Sequence, residues 1–261
     1  MIKDKQDREA MSQAGKILCR ILEEIKQNVL PGVSTADLND TAETLIAQHN
    51  VVSSFKNYPG KICAFPASLC TSLNEEIVHG IPKKETILKQ GDIISLDLGI
   101  WYTSKTGKKV CVDSAITVGV GEISPIAQKL IHTAKYALAI GISCVKDGNF
   151  INQIAKAIQT YVESQGFSVV RDLVGHGVGY RVHEPPSVPN FLEPSQNSHS
   201  GQKLKTGMTI AIEPMITAKN FRTAQKADGW TISTRDTSLS AHFEHTVAVL
   251  KNGCKILTLD T

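Results

Sequence analysis

The sequence predicts an α+β fold made of two similar halves. Three observations carry this prediction. Two helical patterns precede a group of strands, and the order helix, helix, strands then repeats. The stretch Leu88-Lys89-Gln90-Gly91-Asp92-Ile93-Ile94-Ser95-Leu96-Asp97 matches Leu204-Lys205-Thr206-Gly207-Met208-Thr209-Ile210-Ala211-Ile212-Glu213, 116 residues further on. In both, a Leu-Lys-x-Gly turn feeds a strand that ends on a carboxylate. A second match pairs Val112-Asp113-Ser114-Ala115-Ile116-Thr117-Val118 with Phe243-Glu244-His245-Thr246-Val247-Ala248-Val249.

The elements follow in order. Met11, Ala14, Ile17, Leu18, Ile21, Leu22 and Ile25 fall at helical spacing, so an amphipathic helix is expected over 11–29, ending at Pro31-Gly32. Ser34-Thr35-Ala36-Asp37 reads as a capping box that opens a second helix through about His49. Residues 91–98 and 110–120 are short apolar runs bounded by glycines, and are expected to be strands. Helical patterns return at about 124–141 and 151–165. After Gly166 the chain turns to strands and loops, with Pro185-Pro186 and Pro189 marking an irregular stretch. Asp147-Gly148 repeats the break at Pro31-Gly32 at the same 116-residue offset, each before a helix. No linker-like segment separates the halves, about 10–120 and 121–261, so one fused domain over 1–261 is expected.

Composition narrows the function classes. The chain is 41% hydrophobic and 20% charged, enough for a sizeable core in a globular protein. A net charge of +3 with one basic cluster, Lys105-Thr106-Gly107-Lys108-Lys109, argues against a nucleic-acid binder; that cluster reads as a solvated turn. Cys19, Cys63, Cys70, Cys111, Cys144 and Cys254 are scattered, which fits reduced thiols and excludes a zinc ribbon. The first nine residues lack the apolar stretch of a signal peptide, and no apolar run reaches the roughly 18 residues of a membrane span. A cytoplasmic protein without membrane partners is expected.

The paired carboxylates carry the chemistry. Asp97, Asp113, Glu213 and Glu244 occupy equivalent strand positions in the two halves, and a pseudo-twofold axis would bring them together at the junction. Singly, each acid has an ordinary structural reading, at a strand end or turn. Together, four carboxylates in one pocket raise one another's pKa, whereas two divalent cations would neutralise them. Carboxylates with an added histidine suit two-metal hydrolytic sites. The histidine is offered by Gly175-His176-Gly177-Val178-Gly179, whose glycines let backbone approach closely.

These residues resemble a known family. Leu96-Asp97, Val112-Asp113-Ser114-Ala115, Gly175-His176-Gly177-Val178-Gly179, Ile212-Glu213-Pro214 and Phe243-Glu244-His245-Thr246 are similar to the motifs of type I methionine aminopeptidase. Asn74-Glu75-Glu76-Ile77-Val78-His79-Gly80-Ile81-Pro82 and Asp228-Gly229-Trp230 agree, so the resemblance spans nearly the whole chain. It implies the pita-bread fold, a curved antiparallel sheet flanked by two helix pairs. It also implies two divalent ions (Co, Mn, Fe or Zn). Asp97 would hold one, Asp113 and Glu244 would bridge, and His176 and Glu213 would complete the other. An activated water would attack the scissile carbonyl, with Glu213 as the proton-transfer group. His79 and His183 would contact the substrate amide and its carbonyl oxygen. Phe65, Cys70 and Trp230 would line the cup for the methionine side chain, where soft and aromatic contacts suit a thioether. The implied substrates are nascent polypeptide N-termini with a small second residue, taken by a monomer that associates with the ribosome.

The sequence also departs from that pattern. The connection from Asp97 to Asp113 is lengthened at 102–109, which a hairpin tip tolerates because loop closure depends weakly on length. His242 stands where glutamine is usual, placing an imidazole beside the metal ligands. Val182 and Ile62 replace an aromatic residue and a tyrosine, which predicts a pocket with less aromatic wall. Among same-fold alternatives, proline-specific peptidases carry an extra N-terminal domain and type II enzymes a helical insertion. A non-catalytic binding module would have lost ligands.

Overall fold

Helix α1 begins before the first apolar position of its stripe, at Lys5, and runs to Gln27. The expectation of a start near 11 is corrected by a polar signal. Asp4 and Asp7 cap reciprocally, the Asp7 N–H donating to Asp4 Oδ1 (2.8 Å) and the Asp4 N–H to Asp7 Oδ2 (3.1 Å). Helix α2 spans Thr35–Gln48, opened by the Ser34–Asp37 box. Helices α3 (Pro125–Ser143) and α4 (Ile151–Ser164) form the second pair. The coordinates are those of a computed structural model, which describes residues 1–260.

Fifteen strands are described. The first half holds β1 (Val52–Ser53), β2 (Cys70–Leu73), β3 (Glu76–Val78), β4 (Ile93–Thr103) and β5 (Lys109–Gly119). The second holds β6 (Ser168–Val169), β7 (Gly175–Gly177), β8 (Glu184–Val188), β9 (Thr209–Ile212), β10 (Met215–Thr217), β11 (Thr223–Gln225), β12 (Ile232–Thr234), β13 (Ser240–His242), β14 (Glu244–Leu250) and β15 (Gly253–Ile256). A curled antiparallel sheet runs β1-β4-β5-β14-β9-β7-β8, with β2 on β4 and β15 on β14. Two small three-stranded sheets, β13-β10-β6 and β11-β12-β3, complete the architecture.

The order β4-β5-β14-β9 places the matched segments symmetrically about the β5–β14 seam. The turns that feed them agree in backbone conformation as well as sequence: Gly91 has φ +94° and Gly207 φ +92°. That left-handed region is open to glycine and costly for residues with a Cβ, which explains the glycine in both copies.

Each helix pair covers its own half of the sheet. Leu18, Ile21, Ile25, Leu38 and Leu45 pack on Leu96, Leu98, Ile100 and Val112; Leu130, Leu138, Ile154 and Ile158 pack on Ile210, Ile212, Val247 and Val249. Burying each such side chain contributes roughly 1.5–3 kcal/mol. Alternation along β4 sends Leu96 and Leu98 into this core and turns Asp97 to the opposite, concave face.

The hairpin tip is exposed at 105–107, as expected of a solvated turn, but two of its lysines are engaged. Lys108 Nζ lies 3.2 Å from both Asp4 Oδ2 and Asp7 Oδ1, and Lys109 Nζ lies 5.1 Å above the Trp101 ring. The tip is tied to the start of α1. All six cysteines are free, and among the described residues no helix is long and apolar enough to cross a membrane.

Candidate metal centre

The four carboxylates predicted from the repeat meet on the concave face. Asp97 of β4 and Glu244, the first residue of β14, both stand opposite Ala115 of β5. Asp113 lies two positions before Ala115 on β5, and Glu213 follows the last residue of β9. Hydroxyls from neighbouring strands fix them. Thr246 Oγ1 accepts the Asp113 N–H (3.2 Å) and lies 3.0 Å from Asp113 Oδ1, while Ser114 Oγ donates to the Glu244 carbonyl (2.7 Å). Asn190 Nδ2 holds the Glu213 carbonyl (3.0 Å).

His176, on β7, completes the group. Its Nε2 lies 3.4 Å from Asp113 Oδ2 and 3.4 Å from Glu213 Oε1. Its Nδ1 is 3.0 Å from the Gly177 carbonyl, an acceptor only, so Nδ1 carries the proton and Nε2 presents a lone pair. The flanking glycines are required by close backbone approach. A Cβ on Gly175 would lie 2.4 Å from the Ala211 carbonyl oxygen, and one on Gly177 would lie 2.4 Å from that of Pro185.

Electrostatics shows what this set lacks. Burial pushes Asp97 up to about 7, with His242 opposing and Asp113 and Glu213 adding. Burial likewise pushes Glu213 up to about 8, with His176 opposing and Asp113 adding. It raises Asp113, and raises Glu244 well above the usual carboxylate range. Burial would lower His176, but Asp113 and Glu213 outweigh it and raise that imidazole. The ionic neighbours of these acids are His176 and His242 rather than lysine or arginine. Asp97 Oδ1 is buried with no hydrogen-bond partner. Desolvated carboxylates without a cation are costly, and donor atoms of Asp113, His176 and Glu244 lie within 4.8 Å of one another. The donor set fits divalent metal.

A cavity of about 690 Å³ opens above the acids, within the range of small-ligand sites. Phe65, Cys70 and Trp230 line one side. The Phe65 and Trp230 rings meet edge to face at 5.2 Å, and burial holds the Cys70 thiol protonated by raising its pKa. His79 and His183 line the same cavity, both lowered to about 4, chiefly by burial, and hence neutral at pH 7. His183 packs against His176 with ring centroids 4.4 Å apart. Behind it, Glu184 and Lys3 form an ion pair with both side chains fully buried.

Two expectations about neighbours are corrected. Val182 is buried in the α1–α2 core and does not line the cavity; Ile62 is 74% exposed and packs beside Gly229. Neither change therefore thins the aromatic wall, because Tyr58, which sequence reasoning missed, stands there. Its hydroxyl lies 2.8 Å from His183 Nδ1. His242 sits beside the acids as expected, its Nε2 3.6 Å from Glu213 Oε2. His245 bonds Thr258 Oγ1 (2.9 Å) and does not line the cavity.

Comparison with known proteins places the chain in a metallopeptidase family. The model of metallopeptidase family M24 matches residues 9–251. A methionine aminopeptidase of Clostridium acetobutylicum is 46% identical over 99% of this chain and 98% of its own length. Methionine aminopeptidase 1 of Bacillus subtilis is 44% identical over 95% of this chain and 94% of its own. The crystal structure of the methionine aminopeptidase of Thermotoga maritima superposes with a TM-score of 0.92 at 38% identity, covering 100% of this chain and 99% of that one. An Xaa-Pro dipeptidase of Bacillus anthracis, 20% identical, has a TM-score of 0.74 over 100% of this chain and 62% of its own, which shows the shared pita-bread fold alone.

Proposed function

The chain belongs to the metallopeptidase family M24 and is an aminopeptidase that removes N-terminal methionine, and from that premise we propose how its residues divide the work. The observation that carries the reading is the convergence of Asp97, Asp113, Glu213, Glu244 and His176 beneath a cavity walled by Phe65, Cys70 and Trp230.

Two divalent ions would be held here, Asp97 serving one, His176 and Glu213 the other, with Asp113 and Glu244 shared between them. Bound metal supplies charge neutralisation and a water acidified toward neutral pH. Cobalt, manganese, iron and zinc all suit carboxylate-plus-imidazole donors. Glu213 would accept the proton of the attacking water, a role that needs its ionised form. His79 and His183, neutral at pH 7, orient the scissile amide and donate to the oxygen that gains charge. The aromatic and thiol cup receives the methionine side chain, and a small second residue is preferred. The substrates are N-termini of nascent proteins. One catalytic domain, monomeric, cytoplasmic and working beside the ribosome, completes the reading.

The test is metal-reconstituted protein given Met-Ala-Ser and Xaa-Pro peptides. Free methionine released only from the former is the expected result. Activity toward neither, with each of the four metals, would overturn the assignment in favour of a binding module. Turnover of Xaa-Pro peptides alone would favour the proline-specific alternative.

A further inference from the structure

His183 has one ring nitrogen committed and one open. Nδ1 lies 2.8 Å from the Tyr58 hydroxyl, and the ring stands in the cavity beside His176. A neutral imidazole carries a single proton, so its partner at Nδ1 decides what Nε2 can do. The geometry points to Tyr58 as a positioning residue that donates to His183 Nδ1, placing the imidazole proton on Nε2, where it faces the substrate carbonyl oxygen. This rests on the reading of His183 as a substrate-contacting group.

Two properties set the direction of that bond. Burial raises the Tyr58 hydroxyl above its usual pKa, so it keeps its proton. A phenol is a stronger donor than a neutral imidazole N–H, and an imidazole nitrogen is a stronger acceptor than a phenol oxygen. Tyr58 is also held in place by its own loop. Its N–H donates to the Phe55 carbonyl (2.8 Å), its carbonyl accepts from Phe65 (2.9 Å), and the Asn57 N–H donates to the Phe65 carbonyl (2.8 Å). The Phe65 that closes this loop is itself a wall of the cup. The edge-to-face contact between the Tyr58 and His183 rings, 5.4 Å between centroids, fixes the imidazole plane.

The test is Tyr58→Phe in the full zinc-loaded chain, which removes the hydroxyl and keeps the ring. A kcat lower by about tenfold, with KM for Met-Ala-Ser changed less than about twofold, is the expected outcome for loss of one such bond. Nitrogen-15 NMR of histidine-labelled protein reads the mechanism directly. The parent should show His183 protonated on Nε2, and Tyr58→Phe a mixture of tautomers. An unchanged kcat with an unchanged tautomer, or a parent protonated on Nδ1, overturns the inference. His183→Ala is the control for the underlying reading. If it too leaves kcat intact, the role of His183 itself is wrong; if it abolishes turnover while Tyr58→Phe does nothing, only the Tyr58 inference fails.

Discussion

Asp97 and Glu244 stand opposite the same residue: both pair with Ala115 of β5, from its two sides. Two acids from different halves of the chain thus flank one small side chain. Their approach is set by sheet registry, which local loop movement cannot relax. The metal-free protein therefore carries a cost built into its strands. Asp97→Asn should raise the melting temperature of metal-free protein at about pH 8, by about 2–4 °C for each kcal/mol relieved. The same variant should bind divalent metal more weakly by calorimetry. A metal-free protein destabilised by the change would contradict the account.

The pH dependence of stability has a definite sign. Asp97 and Glu213 titrate at about 7 and about 8 in the folded metal-free chain, against unfolded values near 4. The folded state holds more protons over that window, so stability is full below about pH 4 on this account and falls as pH rises toward about 8. Metal-free protein should melt higher at about pH 6 than at about pH 8, and metal loading should shrink or reverse the difference. Equal slopes with and without metal would count against the four acids as the source.

Glu213→Gln removes a proton acceptor and preserves shape. Its kcat should fall by about 10²–10⁴-fold, with peptide KM little changed. Steady-state assays at saturating metal separate this from weakened metal binding, and near-normal turnover would remove Glu213 from its role.

Gly177→Ala tests the backbone approach that seats His176. The added methyl meets the Pro185 and Glu184 carbonyl oxygens at 2.4 and 2.7 Å. Overpacking against backbone costs about 1–3 kcal/mol, and the displaced imidazole should lower metal affinity as well. Denaturant unfolding and calorimetric metal titration read the two effects; a variant normal in both would show that the strand has slack.

Lys3 has no role in the sequence patterns, yet its ammonium is fully buried against Glu184, the residue after His183. Lys3→Met should destabilise by up to about 3–5 kcal/mol, because it leaves buried Glu184 only the more distant N-terminal ammonium of Met1 at 3.8 Å, and adding Glu184→Met should recover most of that loss. Unfolding free energies of the single and double variants decide it.

What was legible in the sequence was periodic or repeated. The apolar stripe of α1 and the Ser34–Asp37 cap follow from local chemistry, and the four acids from a repeat whose register the sheet preserves. What escaped lies where no period operates. Tyr58 reaches His183 because residues 55–65 close on themselves through backbone bonds, and nothing local to Tyr58 encodes its distant partner. Val182 adjoins His183 in sequence but points into the α1–α2 core, so proximity along the chain misdirected the expectation about the cup. The early start of α1 was hidden because Asp4 and Asp7 carry a polar signal ahead of the apolar one.

The β5–β14 seam joins the halves through only two paired positions, Ala115 with Glu244 and Ser114 with His245. Hydroxyl bonds reinforce it: Thr117 Oγ1 donates to the His242 carbonyl and Thr246 Oγ1 to that of Asp113. Asp113 lies on one side of that seam, and His176 and Glu244 on the other. An ion held by all three would tie β5 to β7 and β14 across that seam. Amide exchange along β5 and β14 should then slow on metal loading while the outer faces of α1 and α4 are unaffected. Loading the site would then also stiffen the junction between the two halves.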